Sequence, residues 1–489
     1  MAVSKNTMIV MLHLVLTMLI TLTNTFEGRT QVPRVKIYPS PKGEMLSQAY
    51  KVSINKRIVP VYTAKVGAAD INLRFKAVDD LLHSEKYFDN AAFCYFDMKG
   101  IINISINVNF AIRSVKVLPA SLGIKANIRA RTASFKLSSP QNLTIEINGE
   151  VVKSLHLFAS AIENDIPDIK DPNVIYFGPG VHEVSSLIIG NNKTVYISGG
   201  ALIRAIIGKD EKYTTEPSGL RDYPPTFILA GNNIKFRGRG IIDASACTTH
   251  SRNILYTQGT DISLEGVILR NPSVWTVFVR QCDRITIDNI KILGYRANSD
   301  GIDICNSRNV MVQNCFVRSN DDLIVVKSFE NQGPVNHVIV KNCTLWNQLA
   351  HALSLGAELR EDVSDVLFTN CDIIHDTGRE WALRIFHSDA SVVSNIRFEN
   401  LRVEESRQLI SLWIGKTAST FDKGLGSIRG VDFKNIKAYG SPLTVQLTGG
   451  DQQHNIKDVV FENVYLNNQL LNKSQIANNP FVNNVNVRP

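Results

Sequence analysis

Asp300 is followed 21 and 22 residues later by Asp321 and Asp322. The first acid lies in Asn298-Ser299-Asp300-Gly301-Ile302, the other two in Asn320-Asp321-Asp322-Leu323-Ile324. If that interval is one coil of a solenoid, the three acids stack beside one another on one surface. Coils stack ~4.8 Å apart, and two carboxylates about 5 Å apart repel by about 3 kcal/mol at an effective dielectric of 20. That repulsion is worth roughly two pKa units, so the cluster is expected to keep a proton near neutral pH. A retained proton is a general acid for a leaving oxygen, and the ionised members can orient and deprotonate a water. The chemistry this predicts is acid/base hydrolysis of a glycosidic bond.

The elements that must position these acids are short strands on a long period. From Val174 onward a strand closing on asparagine recurs at Asn289, Asn314, Asn342, Asn370, Asn400, Asn435 and Asn463, in steps of 25, 28, 28, 30, 35 and 28 residues. Earlier coils place Gly238 and Gly266 at the slot. With no helical pattern between them, the repeats read as a solenoid of parallel coils, and the asparagines as a structural ladder. A second strand in each coil has inward pairs at Val277/Val279, Ile302/Ile304, Ile324/Val326, Leu353/Leu355, Leu383/Ile385, Leu412/Ile414 and Val445/Leu447. Two positions before the first five pairs stands a column of different character: Trp275, Asp300, Asp322, His351 and Trp381. Strict alternation would turn this column inward, so the chain must bend just before the strand. His351 can tune the protonation of the acids, and Arg384, on the outward parity, can hold a hydroxyl or carboxylate of a sugar.

Asp-Gly and Asn-Asp are also turn dipeptides, and any one of these acids alone reads first as a turn former. Three acids, a histidine and an arginine in register on consecutive coils outweigh that reading. Asp303 is expected to be a solvated strand residue. Trp275 and Trp381 read either as packing residues or as a platform for a sugar ring. No metal and no cofactor is expected, since no cysteine or histidine spacing suits zinc. Of the seven cysteines, Cys315, Cys343 and Cys371 share one repeat slot and read as a buried ladder of thiols, within disulfide reach but without need of one.

Ahead of the solenoid, about residues 31–165 show short alternating runs such as Ile102–Val108 and Leu143–Ile147, separated by turn residues. They read as a small antiparallel β-sandwich, with the β-helix domain over 166–489. Residues 1–30 carry Lys5 and a strongly apolar run from Met8 to Leu22, the pattern of a secretory signal or an uncleaved membrane anchor. Export is therefore expected. The 489 residues carry a net charge of +8 but no run of five or more Lys/Arg and no nucleic-acid motif. A polysaccharide partner, no nucleic acid and a monomer are expected.

These residues closely resemble the polygalacturonase family, family 28 of the glycoside hydrolases. The family's Asn-Thr-Asp-Gly corresponds to Asn298-Ser299-Asp300-Gly301, its Gly-Asp-Asp to Asn320-Asp321-Asp322 with Lys327 following, its Gly-His-Gly to Ala350-His351-Ala352 with Glu358 following, and its Arg-Ile-Lys to Arg384-Ile385-Phe386. The resemblance spans roughly Val174 to Asn463. It implies a right-handed parallel β-helix and hydrolysis with inversion, with Asp321 as general acid and Asp300 and Asp322 activating water beside His351. Asn298, Arg384, Phe386, Lys327, Trp381 and Glu358 are the expected substrate contacts. The sequence departs from the family pattern at Ala350 and Ala352, which replace glycines, and at Phe386, which replaces the lysine. Losing that cation favours a cleaved residue other than unmodified galacturonate, and Phe386 could stack on a neutral or deoxy sugar; the basic net charge pulls the other way. A sandwich before a β-helix is also similar to the dextranase and isopullulanase family, which acts on neutral glucans. The rival classes are a non-catalytic glycan-binding β-helix of tailspike or adhesin type, in which the acids would be dispensable, and a β-helical lyase, which would need calcium and a basic residue.

Overall fold

Apolar residues alternating inward on short strands close on themselves only if each coil covers the one before it. The computed structural model shows this arrangement over the residues it describes, 33–489 except 217, 418, 419 and 423. The apolar leader expected over residues 1–30 lies outside the described residues. Among them no helix is long and apolar enough to cross a membrane. The chain is all-β, a right-handed parallel β-helix preceded by a small β-sandwich.

Across the acids the coils pair in parallel: Val277, Ile302, Ile324, Leu353 and Leu383 are partners in turn, and the register shifts only past Val326, where Ser328 pairs with Leu359. All five are fully buried. Each contributes about 1.5–3 kcal/mol, and a one-residue slip would turn every pair outward. One coil differs from expectation. Leu383 and Ile385 pair with Ile410 and Leu412, not with Leu412 and Ile414. There the chain runs as one strand, Arg402–Ile414, without the usual turn residues that mark register.

The asparagine slots fall at bends or, for Asn435 and Asn463, within continuous strands. Asn289, Asn314, Asn342, Asn370, Asn400, Asn435 and Asn463 all hold φ between 52° and 57°, a left-handed conformation that asparagine tolerates better than branched or bulky residues. Their amides bond along the stack at Asn370–Asn342 (2.7 Å), Asn435–Asn400 (3.0 Å) and Asn463–Asn435 (3.0 Å). Just before these slots, Phe368, Phe398, Phe433 and Phe461 stack ring on ring with centroids 5.0 Å apart, one coil to the next.

The sandwich has a five-stranded and a six-stranded sheet around a shared core that includes Val52, Ile54, Ile104, Ile106, Leu143 and Leu155. It is not wholly antiparallel. Glu150–Ala161 runs parallel to Phe88–Lys99, because the chain crosses through the second sheet between them. The outer face of the six-stranded sheet is buried as well. Tyr62, Phe93 and Phe158 pack on Ile241, Ile268 and Phe316 of the β-helix. Within Phe88–Lys99 the stretch 91–96 is therefore apolar on both faces and reads as a continuous hydrophobic run rather than an alternating one. A helix, Ile71–Asp79, capped by Asp70, branches from this domain toward the acid-bearing coils. Arg74 fixes it by donating to Gln348 O and Thr377 Oγ1, both at 3.0 Å.

Candidate active site

The acids stand in the bend before the strand because the ladder continues into that bend. Gly301 N donates to Asp322 O at 2.8 Å, and Leu323 N donates to His351 O at 2.9 Å. This stacks Asp300, Asp322 and His351 on three consecutive coils. Gly301 is required there, since a Cβ would lie 2.3 Å from Leu323 O. Asp300, Asp321 and Asp322 bring carboxylate oxygens within 4.8 Å of one another. Asp300 and Asp322 are 2% and 8% exposed, and Asp321 is more open. The first two form a floor and Asp321 a lip.

Each acid has different company. Asp321 accepts Asn298 N at 3.1 Å and Asp322 N at 3.0 Å. Asp322 Oδ1 lies 2.5 Å from His351 Nδ1, while Arg384 Nη1 lies 3.1 Å from His351 Nε2. Arginine has no acceptor, so Nε2 must accept from the guanidinium and Nδ1 must donate to Asp322. His351 is thereby fixed as the Nδ1–H tautomer. Asp300 Oδ2 is 3.2 Å from Lys327 Nζ, which also pairs with Asp303 at 3.1 Å.

These surroundings pull the acids apart. Burial, with Asp300 and Asp322 adding repulsion, raises the Asp321 carboxyl well above the usual carboxylate range. Burial also raises Asp300, with Lys327 opposing and Asp322 adding, to about 6. For Asp322 burial is outweighed by His351 and Lys327, which hold it below the usual range. At neutral pH this leaves a proton on Asp321 and negative charge on Asp322. Three such oxygens could also ligate a cation, but Lys327 already places a fixed positive charge against Asp300.

The other sequence-chosen residues divide. Asn298 holds the acid through its backbone amide, in a left-handed turn of φ 51°. Lys327 was expected to touch substrate, but it is buried and enclosed by Asp300, Asp303, Glu358 at 3.8 Å and the Trp275 ring at 3.8 Å. It is the counter-charge of the acids. Glu358 belongs to the same enclosure. Trp381 is 8% exposed and offers little ring to a sugar. Phe386 has one face occupied by the Arg384 guanidinium, 4.3 Å from its centroid, so stacking by a sugar would compete with Arg384. Asp303, expected to be solvated, is fully buried against Lys327.

Glu380 was missed. It pairs with Arg384 and lies 3.9 Å from His351 Nε2. Its signal was present: it precedes Trp381 as Asp321 precedes Asp322, in the same slot two coils on. A separate cleft of about 810 Å³ lies between sandwich and β-helix, lined by Asn142, Ser160, Asn289, Asn314 and Arg402; Asp300, Asp321 and Asp322 do not line it.

A model of the glycosyl hydrolases family 28 matches residues 229–485, more than half of the chain. The chain belongs to glycosyl hydrolases family 28. Among curated relatives of this family 28 chain, an exopolygalacturonase of Arabidopsis thaliana is 24% identical over 309 residues, 60% of each protein. A probable exopolygalacturonase B of Emericella nidulans is 26% identical over 252 residues, 47% of this chain and 49% of the relative. The match thus spans about half to 60% of the length of these relatives. Among solved structures, Dex49A from Penicillium minioluteum shares the fold at a TM-score of 0.62 and 13% identity, over 91% of this chain and 94% of its own. An exopolygalacturonase from Thermotoga maritima does so at 0.51 and 17%, over 64% and 84%.

Proposed function

We propose that this family 28 chain is an exported, inverting, polygalacturonase-like hydrolase that cleaves O-glycosidic bonds of a pectic polysaccharide with its three-aspartate cluster. The observation that carries the reading is the opposite displacement of neighbouring carboxyls. Asp321 is raised and Asp322 is lowered, although their oxygens lie within 4.8 Å of each other and of Asp300. Asp321 gives its proton to the glycosidic oxygen as the bond to the anomeric carbon breaks and the electron pair passes to that oxygen. Water held by Asp300 and Asp322 adds to the anomeric carbon and leaves its proton on that pair. His351, donating to Asp322, keeps it ionised, and Lys327 supports the negative charge of Asp300.

Two carboxyls of an inverting enzyme usually stand about 6.5–9.5 Å apart, and those of a retaining enzyme about 5–5.5 Å. The present spacing is the shorter kind, so inversion requires that the water held by the two floor residues reach the anomeric carbon from the face opposite the leaving oxygen that Asp321 protonates. The substrate class rests on the exopolygalacturonase relatives, and export on the apolar run after Lys5. A polysaccharide panel assayed for new reducing ends, with Asp321→Asn as control, tests the activity. Proton NMR of the first product tests the stereochemistry. Retained activity in Asp321→Asn removes that residue from the acid role, and a retained anomer removes inversion.

A further inference from the structure

Arg384 is already paired before any ligand arrives. Its Nη1 donates to Glu380 Oε2 and to His351 Nε2. Its guanidinium rests on Phe386, which Trp413 braces edge-on at 5.1 Å between centroids. The Arg384 side chain is 11% exposed and that of Glu380 37%. The surface offered beside His351 is therefore the carboxylate more than the cation.

A free uronate brought to this place either displaces Glu380 from Arg384 Nη1 or takes remaining guanidinium N–H groups beside it. Displacement exchanges one charge-assisted pair for another of the same kind, and either course leaves two carboxylates side by side, close to three further acids. An uncharged sugar meets no such exchange, and its hydroxyls can donate to the open lone pairs of Glu380. We propose that Glu380 is a specificity-determining residue that makes the position beside Arg384 a site for an uncharged sugar residue and disfavours a free uronate there. The inference rests on reading the groove as a glycan site. It narrows the pectic substrate to one whose residue at this position is esterified or neutral.

Binding of trigalacturonate, as free acid and as methyl ester, to the full chain and to its Glu380→Gln and Glu380→Ala variants tests this by calorimetry. The unaltered chain is expected to bind the ester more tightly than the acid. Both variants should raise affinity for the acid by roughly 10- to 100-fold, the range of one charge-assisted hydrogen bond, while changing affinity for the ester much less. Arg384→Ala should leave no preference for the acid to gain. An unaltered chain that prefers the acid, or variants that leave the acid-to-ester ratio unmoved, overturns the proposal and spares the glycan groove. Failure of all forms to bind either ligand overturns the groove reading, and this proposal with it.

Discussion

At the scale of single residues, the cluster works by unequal protonation of like groups. Asp321→Asn removes the transferable proton. Turnover should fall by more than the roughly 10²–10⁴ of one proton-transfer group, because leaving-group protonation and the shared proton fail together. Thermal stability should change little. The asparagine, neutral like the protonated acid it replaces, keeps one oxygen for the two backbone amides that Asp321 accepts on its two oxygens, and one such bond is worth about 1 kcal/mol. A melting curve beside a turnover assay checks both halves. The pH profile belongs to Asp300. Its carboxyl, raised to about 6 by burial with Lys327 pulling downward, must be ionised to take the water's proton. kcat/KM should therefore fall about tenfold per unit of pH below that value. Lys327→Met removes the opposing charge and should move this limb to higher pH. A limb that stays put or moves down would refute the pairing of Lys327 with Asp300.

At the scale of elements, the site depends on a bend that only glycine permits. Gly301→Ala places a methyl 2.3 Å from Leu323 O, so either the Asp300 coil or the Asp322 coil must move. A loss of roughly 1–3 kcal/mol in denaturant unfolding is expected, with activity falling further than stability. Equal stability in the variant would show that the bend is soft. The solenoid was legible because one residue type, asparagine, fills the same left-handed slot on seven coils, and because inward pairs recur on the strand that follows. Adjacency of Asp300 and Asp322 followed from that register. What side chains do within a stack was less legible. Asp303 and Lys327 sit at outward parity yet are buried, because Trp275 and Glu358 fold over them. Glu380 lay in a telling slot but only contact with Arg384 gives it a role. The helix Ile71–Asp79 left no amphipathic stripe, since a buried arginine anchors it in place of an apolar ridge.

At the scale of the molecule, the sandwich braces the coils that carry the acids, through apolar contact and through buried polar pins. Arg318 of the β-helix reaches His156 at 3.0 Å and Val152 O at 2.9 Å, stacked 3.7 Å from the Trp346 ring centroid. Beside that ring, His375 stands between Glu146 of the sandwich and Glu405 of the next coil, its two nitrogens each 2.5 Å from a carboxylate oxygen. Burial opposes charge on His375, but the two carboxylates outweigh it and hold the imidazole above its ordinary value. Neutral imidazole has one N–H and can satisfy only one of the two acids. A folded-state value above the unfolded one means that the stabilisation is fully present below the unfolded value, about 6.5, and is lost as pH rises through the folded value. The melting temperature should thus decline on the alkaline side of pH 6.5. His375→Gln, unable to carry charge, should be less stable than the unaltered protein at pH 6. The gap should narrow as pH rises through the folded-state value and the imidazole loses its charge. Two melting-temperature curves that run parallel from pH 6 to 9 would mean that the histidine is not charged in the junction and that the sandwich is held by its apolar face alone.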